Sequence, residues 1–256
     1  MEKNTNRTFY SQEFDNWMRE FYNKKAKETT KGNYEYYRWF SSKRKRRQYR
    51  HTVKSLLFHL RNIEFKNCLE IGCGPGTWTK LLLRKYPDTK FTCLDISKEM
   101  IAQFKKAVKS KNKNQIKTKV INFLDYDSKE KYDFIFFSRA IEYIPNKARV
   151  IEKLYDLMEN RGKCILITSP PHPFILSLKK LSGKKVNVQH TQRISVKHLA
   201  HLLRKQGFKK IRFYPILFAD YLFVPNTFLF NLLYRKRFGM LSKMFASSYL
   251  AKFEKP

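Results

Sequence analysis

Residues 68–82 read CLEIGCGPGTWTKLL, with glycines at 72, 74 and 76 set between an apolar run and a helix-like run. Glycine turns tightly and lets bare backbone approach a ligand, and the helix that follows offers a positive N-terminal end. From Lys66 onward short apolar runs alternate with helical patterns, as βα units on a parallel sheet do. The runs NCLEI, KFTCLDI, KVINFL, YDFIFFS and KCILITS predict five strands, with helices over 77–86, 97–110 and 146–159. Gly162 is placed to end the last of these helices. Further on, ISVKHLAHLLRKQGFKKIRFY predicts Ser195 as an N-cap, a helix, a Gly207 stop and a sixth strand. SSYLAKF supplies a seventh strand.

The spacing of the turn narrows its ligand. A dinucleotide fingerprint is G-x-G-x-x-G with glycine or alanine last, but here Thr77 takes that place and Pro75 sits inside the turn. No G-K-[ST] follows, so the triphosphate version is absent too. Asp95 ends the next strand, 19 positions after Gly76, where a carboxylate accepts from vicinal ribose hydroxyls. Asp125, in NFLDYD, is placed to end the following strand and accept from an adenine amino group. Together these describe a nucleoside site without a phosphate cradle.

Charge and cysteines bound the setting. Lys and Arg number 54 against 21 Asp and Glu, a formal +33, which draws polyanions such as nucleic acid or an anionic lipid surface. Cys68, Cys73, Cys93 and Cys164 have no CxxC spacing, so buried thiols in a reducing cytosol are expected, with no metal site. The first residues lack the apolar core of a signal peptide, and no window holds 18 uninterrupted apolar residues. A cytoplasmic protein follows, with peripheral contact at the inner face of the membrane as an option.

The run LEIGCGPGTWT, FTCLDIS, NFLDYD and YDFIFFSRAIEYIPN resembles the class I S-adenosylmethionine-dependent methyltransferases over about residues 66–214, with SSYLAKF as their antiparallel last strand. The resemblance implies an α/β, Rossmann-like seven-stranded sheet and S-adenosylmethionine as cofactor. It divides the chain into a helical, basic segment at 1–65, serving as a lid, and a methyltransferase domain at 66–256. Residues 215–246, dense in Phe, Leu and Tyr and ending near a basic RKR, read as a hydrophobic insertion before the last strand. Residue by residue, Glu70 anchors the glycine turn, while Gly72, Cys73, Gly74 and Gly76 face the amino-acid end of the cofactor. Asp95 takes the ribose with Ile96 against the adenine, Asp125 and Tyr126 hold the adenine edge, and Ser138 and Arg139 lie beside the sulfonium. The basic helix near 43–50 is placed over the cofactor mouth, with an Arg or Tyr reaching the cofactor carboxylate.

The acceptor is less constrained. Glu142 and Tyr143 after the fourth strand, and His190 and Arg193 before the sixth-strand helix, are the candidates for catalytic or substrate-side roles by family analogy. SPPHPF resembles an amino-methyltransferase motif, but it follows the fifth strand rather than the fourth and has His172 in the aromatic place. The four isolated cysteines exclude a radical enzyme with an iron–sulfur cluster. Three readings follow: a small-molecule or lipid-linked acceptor, possible at a membrane surface; RNA; or a basic binding module without catalysis.

Overall fold

The computed structural model describes residues 3–29, 33–109, 114–171, 192–218 and 246–256. Seven strands form one sheet: β1 Asn67–Ile71, β2 Lys90–Asp95, β3 Ile116–Val120, β4 Tyr132–Ser138, β5 Met158–Thr168, β6 Lys209–Phe218 and β7 Ala246–Glu254. Their order is β3-β2-β1-β4-β5-β7-β6, with β7 running antiparallel to both neighbours and the rest mutually parallel. Parallel pairs need crossovers, and four helices supply them: α3 Thr77–Lys85, α4 Lys98–Ala107, α5 Lys147–Leu157 and α6 Val196–Lys205. Upstream lie α1 Lys3–Glu28, one π turn at Tyr36–Phe40, and α2 Lys43–His59.

The strands read as continuous apolar runs because both faces of the sheet are covered. Alternate side chains of β4 divide between the faces. Ile135 and Phe137 join Leu69, Leu166 and Leu154 on one side, and Phe134 and Phe136 join Cys68, Leu82, Leu56 and Trp39 on the other. All four cysteines are free and buried. The helices start where short polar side chains cap them: Ser97, Asn146 and Ser195 each accept from a backbone N–H of the first turn. Gly207, at φ 97°, follows the end of α6 as expected.

Three expectations change. The third strand stops at Val120 instead of running through Leu124, because Asn122 accepts from the Leu124 N–H and winds residues 123–125 into a 3₁₀ turn. Gly162 does not end a helix. α5 stops at Leu157 and Gly162 lies inside β5, at a pairing irregularity where a Cβ would come within 2.7 Å of the Glu159 carbonyl oxygen. Finally, β6 continues to Phe218, so residues 215–218 of the expected insertion pair with β7. Pro215 is tolerated because β6 is an edge strand and needs no partner on its outer side. Residues 219–245 of that insertion lie outside the described residues.

The segment before β1 is fastened to α4. Gln103 donates to the Ala26 carbonyl (2.8 Å) and accepts from the Tyr34 N–H (3.1 Å), and Ser97 donates to Asn23 (2.7 Å). Trp39 packs edge-on against Trp78 of α3 at 5.3 Å, and Tyr49 of α2 stacks on the same indole at 5.8 Å. The helices upstream are thereby held over the carboxyl ends of β1 and β2.

Candidate functional site

Strand order reverses between β1 and β4, and in open α/β sheets ligands bind in the crevice at that switch point. A cavity of about 430 Å³ occupies this place. Its wall combines the glycine turn, the ends of β2 and β4, the residues after β3 and β5, and the segment before β1.

Gly72, Gly74 and Gly76 all have positive φ, at 70°, 53° and 82°. The reasons differ. A Cβ on Gly72 would lie 2.4 Å from the Ala140 Cβ, and one on Gly76 would lie 2.2 Å from Val108 Cγ2. Gly74 meets nothing within 4 Å, so it alone turns its bare backbone toward open space. Glu70 is buried beneath the turn, outside the cavity wall, and accepts from Thr79 Oγ1 of α3 at 2.5 Å. Burial pushes its carboxyl up to about 8 despite that hydrogen bond. It thus ties β1 to α3, while its expected place at the cofactor is not in the cavity wall.

Asp95 is half-buried in the wall. Its two carboxylate oxygens accept from the Gly74 N–H at 2.8 Å and the Ser97 N–H at 2.9 Å. Burial nevertheless raises its pKa to about 6, the backbone donors opposing the rise. The same carboxylate therefore ties the glycine turn to the end of β2. Ile96 and Cys73 also line the cavity.

Asp125 and Tyr126 do not. Asp125 is exposed on the 3₁₀ turn, and Tyr126 is buried in the core, its hydroxyl 2.7 Å from that of Tyr132. The early end of β3 gives their expected place to Asn122 and Phe123, which line the cavity. Asn122 donates to Asp15 of α1 at 2.6 Å, so a helix far upstream completes this corner. The only signal for Asn122 in the sequence is its position before a turn. Nothing local marks Asp15.

The basic segment arrives differently from the expectation. From 43–50 only Lys45 lines the cavity, beside Tyr34, Tyr37 and Arg38 from around the π turn and Lys25 from α1. Lys45 donates to the Tyr37 carbonyl at 2.6 Å and sits 4.0 Å over its ring. Burial and the neighbouring cations Arg38 and Lys45 lower the pKa of Lys25.

After β4, Ser138, Arg139, Glu142 and Tyr143 all reach the wall, as does Arg193 ahead of α6. Arg139 adopts φ 54°, a left-handed backbone that redirects the chain into the cavity. Its guanidinium donates to Ser169 Oγ at 2.7 Å and Ser248 Oγ at 3.1 Å. Glu142 is buried and accepts from the Ser169 N–H at 2.5 Å. Tyr143 packs edge-on against Tyr22 at 5.6 Å. His190 lies outside the described residues.

Known proteins agree with this geometry. A family model described as a methyltransferase domain matches residues 41–212. Malonyl-[acyl-carrier protein] O-methyltransferase 1 of Ilyobacter polytropus is 30% identical over 128 residues, 50% of this chain and 47% of that protein. Trans-aconitate 2-methyltransferase of Rhodopseudomonas palustris is 27% identical over 93 residues, 36% of this chain and 34% of the relative. The chain spans about half the length of the first curated relatives it matches. Among solved structures, magnesium protoporphyrin IX methyltransferase from Synechocystis PCC 6803 superposes with a TM-score of 0.62 at 16% identity, over 95% of this chain and 100% of that one. The N-methyltransferase NodS from Bradyrhizobium japonicum WM9, bound to S-adenosylhomocysteine, gives 0.61 at 15%, over 93% and 98%. These likenesses show the fold. With a family model matching more than half of its length, the chain belongs to the class I S-adenosylmethionine-dependent methyltransferases.

Proposed function

We propose that this protein transfers a methyl group from S-adenosylmethionine to a small-molecule acceptor. The observation that carries the reading is the convergence of Gly72–Pro75, Asp95 and a cationic rim on one cavity at the switch point, with Gly76 turned instead toward Val108 and Phe104. The residues suit the cofactor. Gly74 leaves room for backbone approach, Asp95 offers a carboxylate for the ribose, and Ile96 and Met100 give an apolar surface for the base. Asn122, held by Asp15, takes the adenine-edge role first assigned to Asp125 and Tyr126. Lys25, Arg38 and Lys45 are the groups for the cofactor carboxylate.

Bound there, the sulfonium supplies an activated methyl group. The protein's part is then alignment of the acceptor and exclusion of water. Tyr22, Tyr34, Tyr37 and Tyr143 provide much of that enclosure. Calorimetry with S-adenosylhomocysteine tests the reading: binding at micromolar or tighter affinity is expected, and a protein that binds neither it nor S-adenosylmethionine would refute it. Arg38→Ala is expected to weaken binding about threefold to thirtyfold, the loss of one charge-assisted hydrogen bond at a partly exposed rim.

A pH dependence follows from Asp95. Its carboxyl titrates near 6, and only the ionised form accepts from both ribose hydroxyls. A raised acid favours the protonated folded state, so its ionisation adds to cofactor binding only above that value. Affinity is expected to be flat above pH 7 and to fall as pH drops through about 6, by up to about tenfold per unit. An unchanged affinity at pH 5 would count against Asp95 as the ribose acceptor.

A narrower version has a lipid-linked acceptor presented at a membrane surface. The composition of residues 219–245, aromatic-rich with RKR at 235–237, supports it. Among the described residues no helix is long and apolar enough to cross a membrane. Flotation with anionic but not neutral liposomes, abolished by charge reversal at Arg235, Lys236 and Arg237, is the expected result. Salt-sensitive RNA binding without flotation would favour the RNA reading instead.

A further inference from the structure

The cavity wall divides by strand. The glycine turn, Asp95 and Asn122 follow β1, β2 and β3, and they account for the cofactor under the reading above. Beyond the switch point, residues after β4 and β5 make a different surface: Ser138, Arg139, Glu142, Ser169 and Arg193. The cofactor groups named under that reading do not include the two guanidiniums found there, although the family resemblance had set Arg139 beside the sulfonium.

Their hydrogen bonding is incomplete. Arg139 has five N–H donors, and the described residues engage two of them, both through neutral serine hydroxyls. Its Nε is buried without a partner among the described residues, as is the Nε of Arg193, and Ser138 Oγ in the same wall is also unpartnered. A buried guanidinium is costly unless an anion and good hydrogen-bond geometry offset its desolvation. Burial lowers the pKa of Arg139 to about 10, with Arg38 and Arg193 adding to the fall and Glu142 opposing it. The group remains charged at neutral pH.

We propose that Arg139 and Arg193 form an acceptor subsite for a carboxylate, so that the methylated atom is a carboxylate oxygen of a small organic acid. The charges favour an anion: Arg139 and Arg193 outnumber Glu142 on this surface, and Arg38 in the same wall adds to the positive field at Arg139. The planar fork of arginine matches a carboxylate in two parallel hydrogen bonds. The serines hold Arg139 by its terminal nitrogens, which orients the rest of the fork. A carboxylate also needs no general base, consistent with Glu142 being engaged by the Ser169 N–H. The carboxylate oxygen takes the methyl carbon as the carbon–sulfur bond breaks, its electron pair stays on sulfur, and the products are a neutral methyl ester and a thioether. No proton moves.

The inference rests on the methyltransferase reading of the cavity, and one experiment separates the two. Full-length protein is saturated with S-adenosylhomocysteine and titrated calorimetrically with malonate, benzoate and octanoate, then with their amides and with inorganic phosphate. At least one carboxylate is expected to bind, its amide at least about tenfold more weakly, and phosphate no better. Arg193→Gln is expected to weaken that carboxylate about tenfold to a hundredfold while S-adenosylhomocysteine affinity stays unchanged, with Arg193→Lys between the two. Failure of all three carboxylates to bind the loaded protein overturns the subsite, as does equal binding of acid and amide, tighter phosphate binding, or an Arg193→Gln protein that binds like wild type. Failure of S-adenosylhomocysteine itself to bind instead overturns the reading of the cavity.

Discussion

Asp95→Ala is expected to weaken S-adenosylhomocysteine binding by about 1.5–3 kcal/mol, roughly tenfold to a hundredfold, the scale of lost hydrogen bonds to a charged group. The upper end is the better expectation, because the carboxylate has two duties. Under the proposed function it accepts from the ribose, and it already holds the Gly74 and Ser97 N–H groups. Removing it leaves both donors short of a partner and loosens the turn that faces the ligand. Asp95→Asn separates the duties. Its amide keeps one acceptor oxygen but sets an NH₂ against a backbone N–H or a ribose hydroxyl, so it should recover only part of the affinity. Calorimetry on the three proteins at pH 7.5, above the Asp95 titration, gives the comparison. Wild-type affinity in Asp95→Ala would remove Asp95 from the site.

Gly76→Ala should instead unfold the protein more easily. The residue sits at φ 82°, where a side chain costs about 1–2 kcal/mol. Its Cβ would come 2.2 Å from Val108 Cγ2 and 2.9 Å from Phe104 Cδ2, an overpacking that adds about 1–3 kcal/mol. A total loss of about 2–5 kcal/mol lowers the melting temperature of a chain this size by roughly 5–15 °C. Gly74→Ala is the control. Its Cβ meets nothing within 4 Å, so only the strain of φ 53° remains, and the methyl group enters the space reserved for the ligand. Thermal melts with and without S-adenosylhomocysteine distinguish them: Gly76→Ala should melt earliest yet still be stabilised by ligand, while Gly74→Ala should melt between it and wild type and lose that response. Equal melting of the two variants without ligand would contradict this account.

Where the sequence reading held, it rested on local chemistry. Gly72, Gly74 and Gly76 need positive φ, and few other residues supply it. Ser195 and Gly207 bracket α6 by capping, and Asp95 ends a strand whose apolar run is unambiguous. The order of the elements then leaves few ways to build a parallel sheet with one late antiparallel strand. Where the reading slipped, two local signals competed. KVINFL has the texture of one strand, yet the Asn122 side chain caps a 3₁₀ turn within it and moves the strand end from Leu124 to Val120. That shift carries Asp125 to the surface and Tyr126 into the core, and it brings Asn122 to the cavity instead. PILF looks like the start of an apolar insertion but becomes strand because β7 lies beside it.

The sequence by itself determined the βα alternation, the glycine turn and the carboxylate that ends β2, since each depends on residues within one turn or strand of each other. Only the tertiary structure decided which distant groups close the cavity: Asp15 reaching Asn122 across 107 positions, Lys25 and Arg38 at the rim, and Ser248 of the last strand holding Arg139 across 109. A carboxylate on a helix or a hydroxyl on a strand carries no mark of its partner. The partner is fixed by the packing of the elements that bear them, and sequence periodicity records which face of an element is buried, not what it is buried against.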